Sequence, residues 1–221
     1  MTQPENLGYR RGLLLRLLVS GMVLALWFWT QSLIGARTAP ASGIGDGLHY
    51  LTAGLNTYFS QNAGAANALL VVSSALIDAL GLFLLGRWLL GGSIRPFFGL
   101  FFLMSLRQLM QAICALPPPP NMIWHDPGFP SLLVTYHVAN DFFFSGHTAI
   151  AVFGAVELSR LRWRWLTIAA VLIVVFEIAT VLILRAHYTM DVFTGILAAL
   201  WIARLSKRIS PRLDHLISGS T

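Results

Sequence analysis

Two short strings hold most of the reactive polar side chains in an otherwise apolar chain. The first is Asn140-Asp141-Phe142-Phe143-Phe144-Ser145-Gly146-His147-Thr148; the second, forty residues beyond its histidine, is His187-Tyr188-Thr189-Met190-Asp191. His187 and Asp191 are spaced i, i+4, so on a helix that already includes His187 they share a face and the carboxylate accepts from one imidazole nitrogen. That bond sets the tautomer and leaves the lone pair of the other nitrogen ready to attack, as in an oriented nucleophile. His147 lies about a turn into the helix opened by the first string, beside Ser145 and the close-approach residue Gly146. It is placed to protonate a leaving oxygen and then to take a proton from the next attacking group. Each string alone has a plainer reading, because a membrane histidine often bonds a neighbouring helix and Ser-Gly is common where helices pack closely. Their placement together carries the functional reading.

The elements that hold these strings are membrane helices. Of 221 residues, 56% are hydrophobic and 11% charged, and the mean hydropathy is +0.70; a soluble domain carries near a quarter charged residues. The chain reads as one all-α membrane domain over 1–221, a polytopic six-transmembrane-helix bundle. Apolar runs at roughly 13–35, 65–90, 97–116, 140–158, 165–184 and 189–205 are the spans, near the ~20 residues a bilayer requires. The first exceeds a signal-peptide core of roughly 7–15 residues and reads as a signal anchor, with cleavage near Ala39-Pro40-Ala41 as the alternative. Leu48, Leu51, Leu55 and Tyr58 recur at helical spacing and predict an amphipathic helix over roughly 46–59 lying along the interface. Pro117 to Pro120 end the third span. The single Cys114 excludes a disulfide framework and a cysteine metal site.

All but three of the 15 basic residues fall on one flank of these spans; Arg37 and Arg185 fall on the other, and Arg107 is inside a span. The positive-inside rule then puts both termini in the cytoplasm. The fourth and sixth spans run from outside to inside, so their N-terminal ends, bearing the two strings, meet at the outer face. A helix N-terminus offers unpaired N–H groups and partial positive charge, and two such ends suit a phosphate. The net charge of +6 does not indicate nucleic acid, since the basic residues are scattered between spans. Asp78, Arg107 and Glu177 lie inside spans, where an isolated charge costs about 2.5–3.5 kcal/mol on insertion scales. They form a buried ion pair, Arg107 with Asp78 or Glu177, or they line a polar cavity below the histidines with Arg107 on the phosphate. His125 and His137 lie in the outer loop, where contact with a head group is the lesser of two readings, and His49 reads as interfacial. The seven tryptophans fall mostly at span ends, as anchors.

Ser145-Gly146-His147 followed by His187 and Asp191 resembles the second and third signature motifs of the type 2 phosphatidic acid phosphatase superfamily. The fuller strings are more similar to its sphingomyelin synthase branch and to the related plant phosphatidylcholine:diacylglycerol cholinephosphotransferases. The likeness extends through Arg107 and the proline-rich exit of its span, over roughly 46–205. It implies a ping-pong transferase that moves phosphocholine or phosphoethanolamine from a glycerophospholipid to a lipid alcohol, ceramide or diacylglycerol. His187 would attack phosphorus, His147 protonate the departing diacylglycerol oxygen, and Asp191 steady His187. Asp141 matches the acidic position before Ser-Gly-His and would orient His147 or the head group, while Ser145, Gly146, Arg107 and Arg185 would hold the phosphate. No metal or other cofactor is required, because helix ends and an arginine carry the phosphate charge.

Two departures matter. The superfamily's phosphatases carry Lys-x6-Arg-Pro and an arginine six residues before the nucleophile. Here Trp88 stands at the lysine position before Arg95-Pro96, which topology puts on the cytoplasmic flank, and Val181 stands six residues before His187. Arg185 is the nearer phosphate ligand, or an interfacial charge. Both departures point to the transferase branch rather than to the alternative, a lipid phosphate phosphatase with water as acceptor. Two other classes stay open: a metal or haem membrane protein with His147 and His187 as ligands, and a non-enzymatic lipid-binding or scaffold protein. Short loops and a Leu/Ala-rich chain predict a bacterial inner membrane with the site on the periplasmic face, or its equivalent in an ER or Golgi lumen. The partners are membrane lipids; head group, acceptor and oligomeric state are not set by the sequence.

Overall fold

The computed structural model describes residues 5–35, 43–90, 92–134, 136 and 142–218. Among these residues there is no strand, and the helices are α1 (Glu5–Gly35), α2 (Gly47–Leu51), α3 (Ala53–Gln61), α4 (Ala63–Leu89), α5 (Arg95–Ile113), α6 (Gly146–Ser159), α7 (Arg164–Ile183) and α8 (Thr189–Ser218). The chain divides into two compact units, up to Gly45 and from Asp46 onward. The first is α1, a helix of 31 residues in which Leu17, Met22, Trp27 and Phe28 are exposed.

Among the described residues, four helices are long and apolar enough to cross a membrane: Ala63–Leu89, Arg95–Ile113, Arg164–Ile183 and Thr189–Leu216. The protein is an integral membrane protein. α4 buries Leu70, Ile77, Leu80 and Leu84, spaced by three, four and seven as one helical face requires, and exposes Val72 and Leu82. The span expected from near Asn140 is realised differently. α6 has 14 residues, about 21 Å at 1.5 Å each and short of a ~30 Å hydrocarbon core. It begins at Gly146 because Phe144 sits at φ +88, in left-handed backbone that a right-handed helix cannot continue. Ser145 then caps the helix, its hydroxyl oxygen accepting the Thr148 N–H at 3.3 Å. α6 is the centre of the second unit: it packs on α4, α5, α7 and α8, and residues 146–154 are all buried. Small residues such as Ala149 and Ala151 permit that close approach where lipid gives no hydrophobic drive for helix association.

α8 runs past its expected end near Leu205 to Ser218, through Pro211. Its last turns are held by Asp214, whose carboxylate accepts the Ser93 hydroxyl at 2.6 Å and the Ile94 N–H at 2.7 Å and so caps α5. The helix expected over 46–59 breaks at Thr52 into α2 and α3. Leu48, Leu51, Leu55 and Tyr58 are exposed, while polar His49 and Asn56 are buried. His49 is therefore a buried residue and not an interfacial one. Asn56 Nδ2 donates to the Ile183 carbonyl at 2.9 Å and the Asn121 carbonyl at 3.3 Å, fastening α3 to the end of α7.

Two of the charges inside spans, Asp78 and Glu177, bond groups other than Arg107. Asp78 accepts the N–H groups of Leu132 and Leu133 at 2.8 and 2.9 Å, and Glu177 accepts the Ser73 hydroxyl at 2.6 Å. Among the described residues neither carboxylate is in an ion pair.

Candidate active site

His187 sits in the short connection 184–188, which two helix-end motifs build back to back. At the end of α7 the Ala186 N–H bonds the Val181 carbonyl at 2.8 Å and the Arg185 N–H bonds the Leu182 carbonyl at 3.3 Å, with Arg185 at φ +54. This is a Schellman end with arginine where glycine is usual. At the start of α8, Asp191 reaches back to accept the Tyr188 N–H at 2.9 Å, half of a capping box. Asp46 takes the next amide: its carboxylate accepts the Thr189 N–H and the Thr189 hydroxyl, both at 2.6 Å. The same carboxylate caps α2 through the N–H groups of Leu48 and His49.

Between these motifs the His187 backbone is gripped from both sides. Its N–H bonds the Val181 carbonyl at 3.3 Å, and its carbonyl accepts from His49 Nε2 at 3.0 Å. The His49 ring stacks on Tyr188 with centroids 5.7 Å apart. α8 starts after His187, so the histidine and Asp191 meet across the helix start and not along a helix face. His187 Nδ1 lies 3.6 Å from Asp191 Oδ2, beyond hydrogen-bond length. Among the described residues neither His187 Nδ1 nor Asp191 Oδ1 has a hydrogen-bond partner.

His147, in the first turn of α6, is buried. Its ring meets Trp124 edge to face at 5.1 Å, and its Nε2 has no hydrogen-bond partner among the described residues. Two glycines bring neighbours onto this helix end. A Cβ at Gly146 would stand 3.0 Å from Arg107 Nε, and one at Gly195 of α8 would stand 2.8 Å from the Ser145 carbonyl oxygen. The Ser145 N–H bonds the Asp191 carbonyl at 3.1 Å, which joins the two strings directly.

One cavity of about 250 Å³ is lined by His147, His187, Arg107, Gln108, Gly146 and Trp124, with apolar walls that include Ile77, Met104, Leu132, Leu133 and Val134. Asp78 holds two of those wall residues by their backbone. The remaining expected site residues stand elsewhere. Ser145 is fully buried and its hydroxyl is spent on Thr148. Asp191 stands behind His187. Arg185 does not line the cavity; its guanidinium donates to the carbonyls of Pro120 at 2.9 Å and His49 at 3.4 Å. Asp141 and His137 lie outside the described residues. His125 is exposed and bonds Asn67. The start of α8, expected to face a phosphate, is filled by Asp46 and Asp191, which leaves α6 as the helix end beside the cavity.

Asp46 and Gly195 are neighbours of the candidate site that sequence reading missed, and His49 and Trp124, read there as an interfacial residue and an anchor, are two more. Asp46 carried a signal, an N-cap residue type directly before a helical pattern. Burial opposes ionisation of its carboxyl, yet the bonds from Thr189 and His49 outweigh that and hold it below the ordinary 3.8. Burial, then the neighbouring Asp191 and Asp46, push the Tyr188 phenol above its ordinary 10.0, so it stays a donor to the Pro117 carbonyl at 3.2 Å. Among the described residues no three or more His, Cys, Asp or Glu gather as a metal ion would need.

Phosphatidylcholine:diacylglycerol cholinephosphotransferase 1 of Arabidopsis thaliana is 22% identical over 193 residues, which are 86% of this chain. The chain spans about 62% of the length of that curated relative. No solved structure matches. The AtPDCT1/2 family matches residues 46–208, from the aspartate that fastens α2 to α8 through both histidine strings, and the chain belongs to that family.

Proposed function

We propose that the protein is a lipid phospho-head-group transferase with the covalent chemistry of the type 2 phosphatidic acid phosphatase superfamily. It moves phosphocholine or phosphoethanolamine from a glycerophospholipid to diacylglycerol or ceramide. The observation that carries this reading is that His147 and His187 line one small cavity together with Arg107. His187 Nε2, the ring nitrogen remote from Asp191, attacks phosphorus; the bond to the diacylglycerol oxygen breaks, and His147 gives that oxygen a proton. The acceptor hydroxyl then attacks the phosphohistidine and yields its proton to His147, and the P–N bond breaks to restore His187. Arg107 and the amide end of α6 hold the phosphoryl oxygens. Asp191 steadies the charged imidazole, and Asp141 orients His147 or the head group.

The cavity volume of about 250 Å³ equals about eight waters at liquid density. That suits a head group and not two acyl chains, which stay in lipid. The cholinephosphotransferase relative supports phosphocholine as the transferred group and diacylglycerol as the acceptor. The cation distribution supports a site on the outer face, periplasmic in a bacterial inner membrane or luminal in its equivalent.

The test gives purified protein labelled phosphatidylcholine or phosphatidylethanolamine, with and without diacylglycerol or ceramide. Label is expected in the acceptor lipid, and denatured protein is expected to carry acid-labile label. His187→Ala is expected to lose transfer by at least about 10³-fold while folding normally. Release of free phosphate or phosphoalcohol as the main product would assign a hydrolase instead.

A further inference from the structure

A second concavity lies roughly 15 Å along α6 from His147, ten residues at 1.5 Å each, and shares no lining residue with the histidine cavity. Its volume is about 650 Å³. Its charged walls come from separate elements: Arg87 at the end of α4, Arg95 at the start of α5, Glu157 on α6, Arg160 and Arg162 in the turn before α7, and Lys207 on α8. Five cations therefore face one carboxylate.

That carboxylate is already committed. Glu157 is buried and accepts from Arg95 Nε and Nη2, the latter at 2.7 Å, while Arg160 Nε stands 3.2 Å away. It is hydrogen-bonded to Arg95 and ion-paired with Arg160, which leaves Arg87, Arg162 and Lys207 without a further carboxylate in the concavity. Arg162 at φ +63 occupies left-handed backbone that an L-residue adopts at a cost. Arg204, Arg208 and Arg212 on the same α8 are exposed, as are Arg87, Arg162 and Lys207, but stand outside the concavity.

We propose that this concavity binds one phosphate-bearing anion, the chemistry shared by an anionic phospholipid head group and soluble phosphate. Guanidinium forks match phosphate oxygens in pairs, and basic pockets between membrane helices accept anionic head groups. The proposal does not rest on the transfer reaction, and it stands or falls separately from it.

The experiment uses full-length protein in phosphatidylcholine nanodiscs with or without a minor fraction of phosphatidic acid. Retained anionic lipid is counted per protein by native mass spectrometry. A parallel arm titrates sodium phosphate against sodium chloride at matched ionic strength and follows the thermal midpoint. The test variants are R162E/K207E and the milder R162Q/K207Q, at exposed positions outside the Glu157 pairing. The control, R204E/R208E, makes the same charge change away from the concavity. Wild-type protein and the control are expected to retain one anionic lipid or to be stabilised by phosphate, and both test variants to weaken that binding about tenfold or more, ~1.4 kcal/mol. A lipid response alone assigns a head group, and a phosphate response alone assigns soluble phosphate. Absence of both responses, or equal losses in control and test variants, overturns the proposal in favour of diffuse flanking charge.

Discussion

His187 is held through its peptide on both sides. Its carbonyl is tied to His49, and since a carbonyl only accepts, His49 Nε2 carries the proton. His49 thereby joins α2 to the loop that carries His187, and its ring stacks on Tyr188. His49→Phe keeps the stack and removes the donor. A lost buried hydrogen bond costs ~1 kcal/mol, and a loosened nucleophile costs more in rate than in binding. We expect kcat for transfer to fall about tenfold with KM nearly unchanged, and His49→Gln, which retains a donor, to recover part of it. Steady-state kinetics on folded protein checks this; equal losses in both variants, in step with thermal stability, would make His49 merely structural.

At the level of elements, Asp46 fastens the start of α2 to the start of α8 by bonding Thr189, 143 residues away in sequence. Its carboxyl is held below the ordinary 3.8. A depressed folded-state pKa contributes stability that is present above the unfolded value and lost as pH falls through the folded one. Asp46→Asn is therefore expected to lower stability near neutral pH by ~1–2 kcal/mol, the range of a lost cap. The gap to wild type should close as pH falls below 3.8 and the wild-type carboxyl protonates. Thermal midpoints across pH measure it, and a gap that stays constant into acid would remove the carboxylate from this role.

Across the second unit, α6 takes the centre and the longer helices enclose it, so the histidine end and the cationic end are the two ends of one short helix. The far part of α8 serves the cationic end, where Asp214 caps α5. Asp214→Ala is expected to lower stability by ~1 kcal/mol, with transfer activity per folded molecule unchanged. A fall in specific activity, measured beside the thermal midpoint, would instead show that the two ends are coupled.

Membrane helices were legible in the sequence because a backbone in lipid must satisfy its own polar groups, so long apolar runs such as those of α4 and α7 leave few alternatives. The two histidine strings were legible because polar residues among such runs are costly and stand out. The inward face of α2 and α3 was not. Periodicity shows that Leu48, Leu51 and Leu55 share a face, but beside a bilayer the apolar face can turn to lipid, and here polar His49 and Asn56 turn inward. The delayed start of α6 depended on the left-handed Phe144, which no local propensity announces. The task of Arg185 depended on two carbonyls, of Pro120 and His49, that folding brings to it. Residue types and spacing thus named the histidines, while hydrogen bonds between segments far apart in sequence, set when the helices pack, chose what holds them.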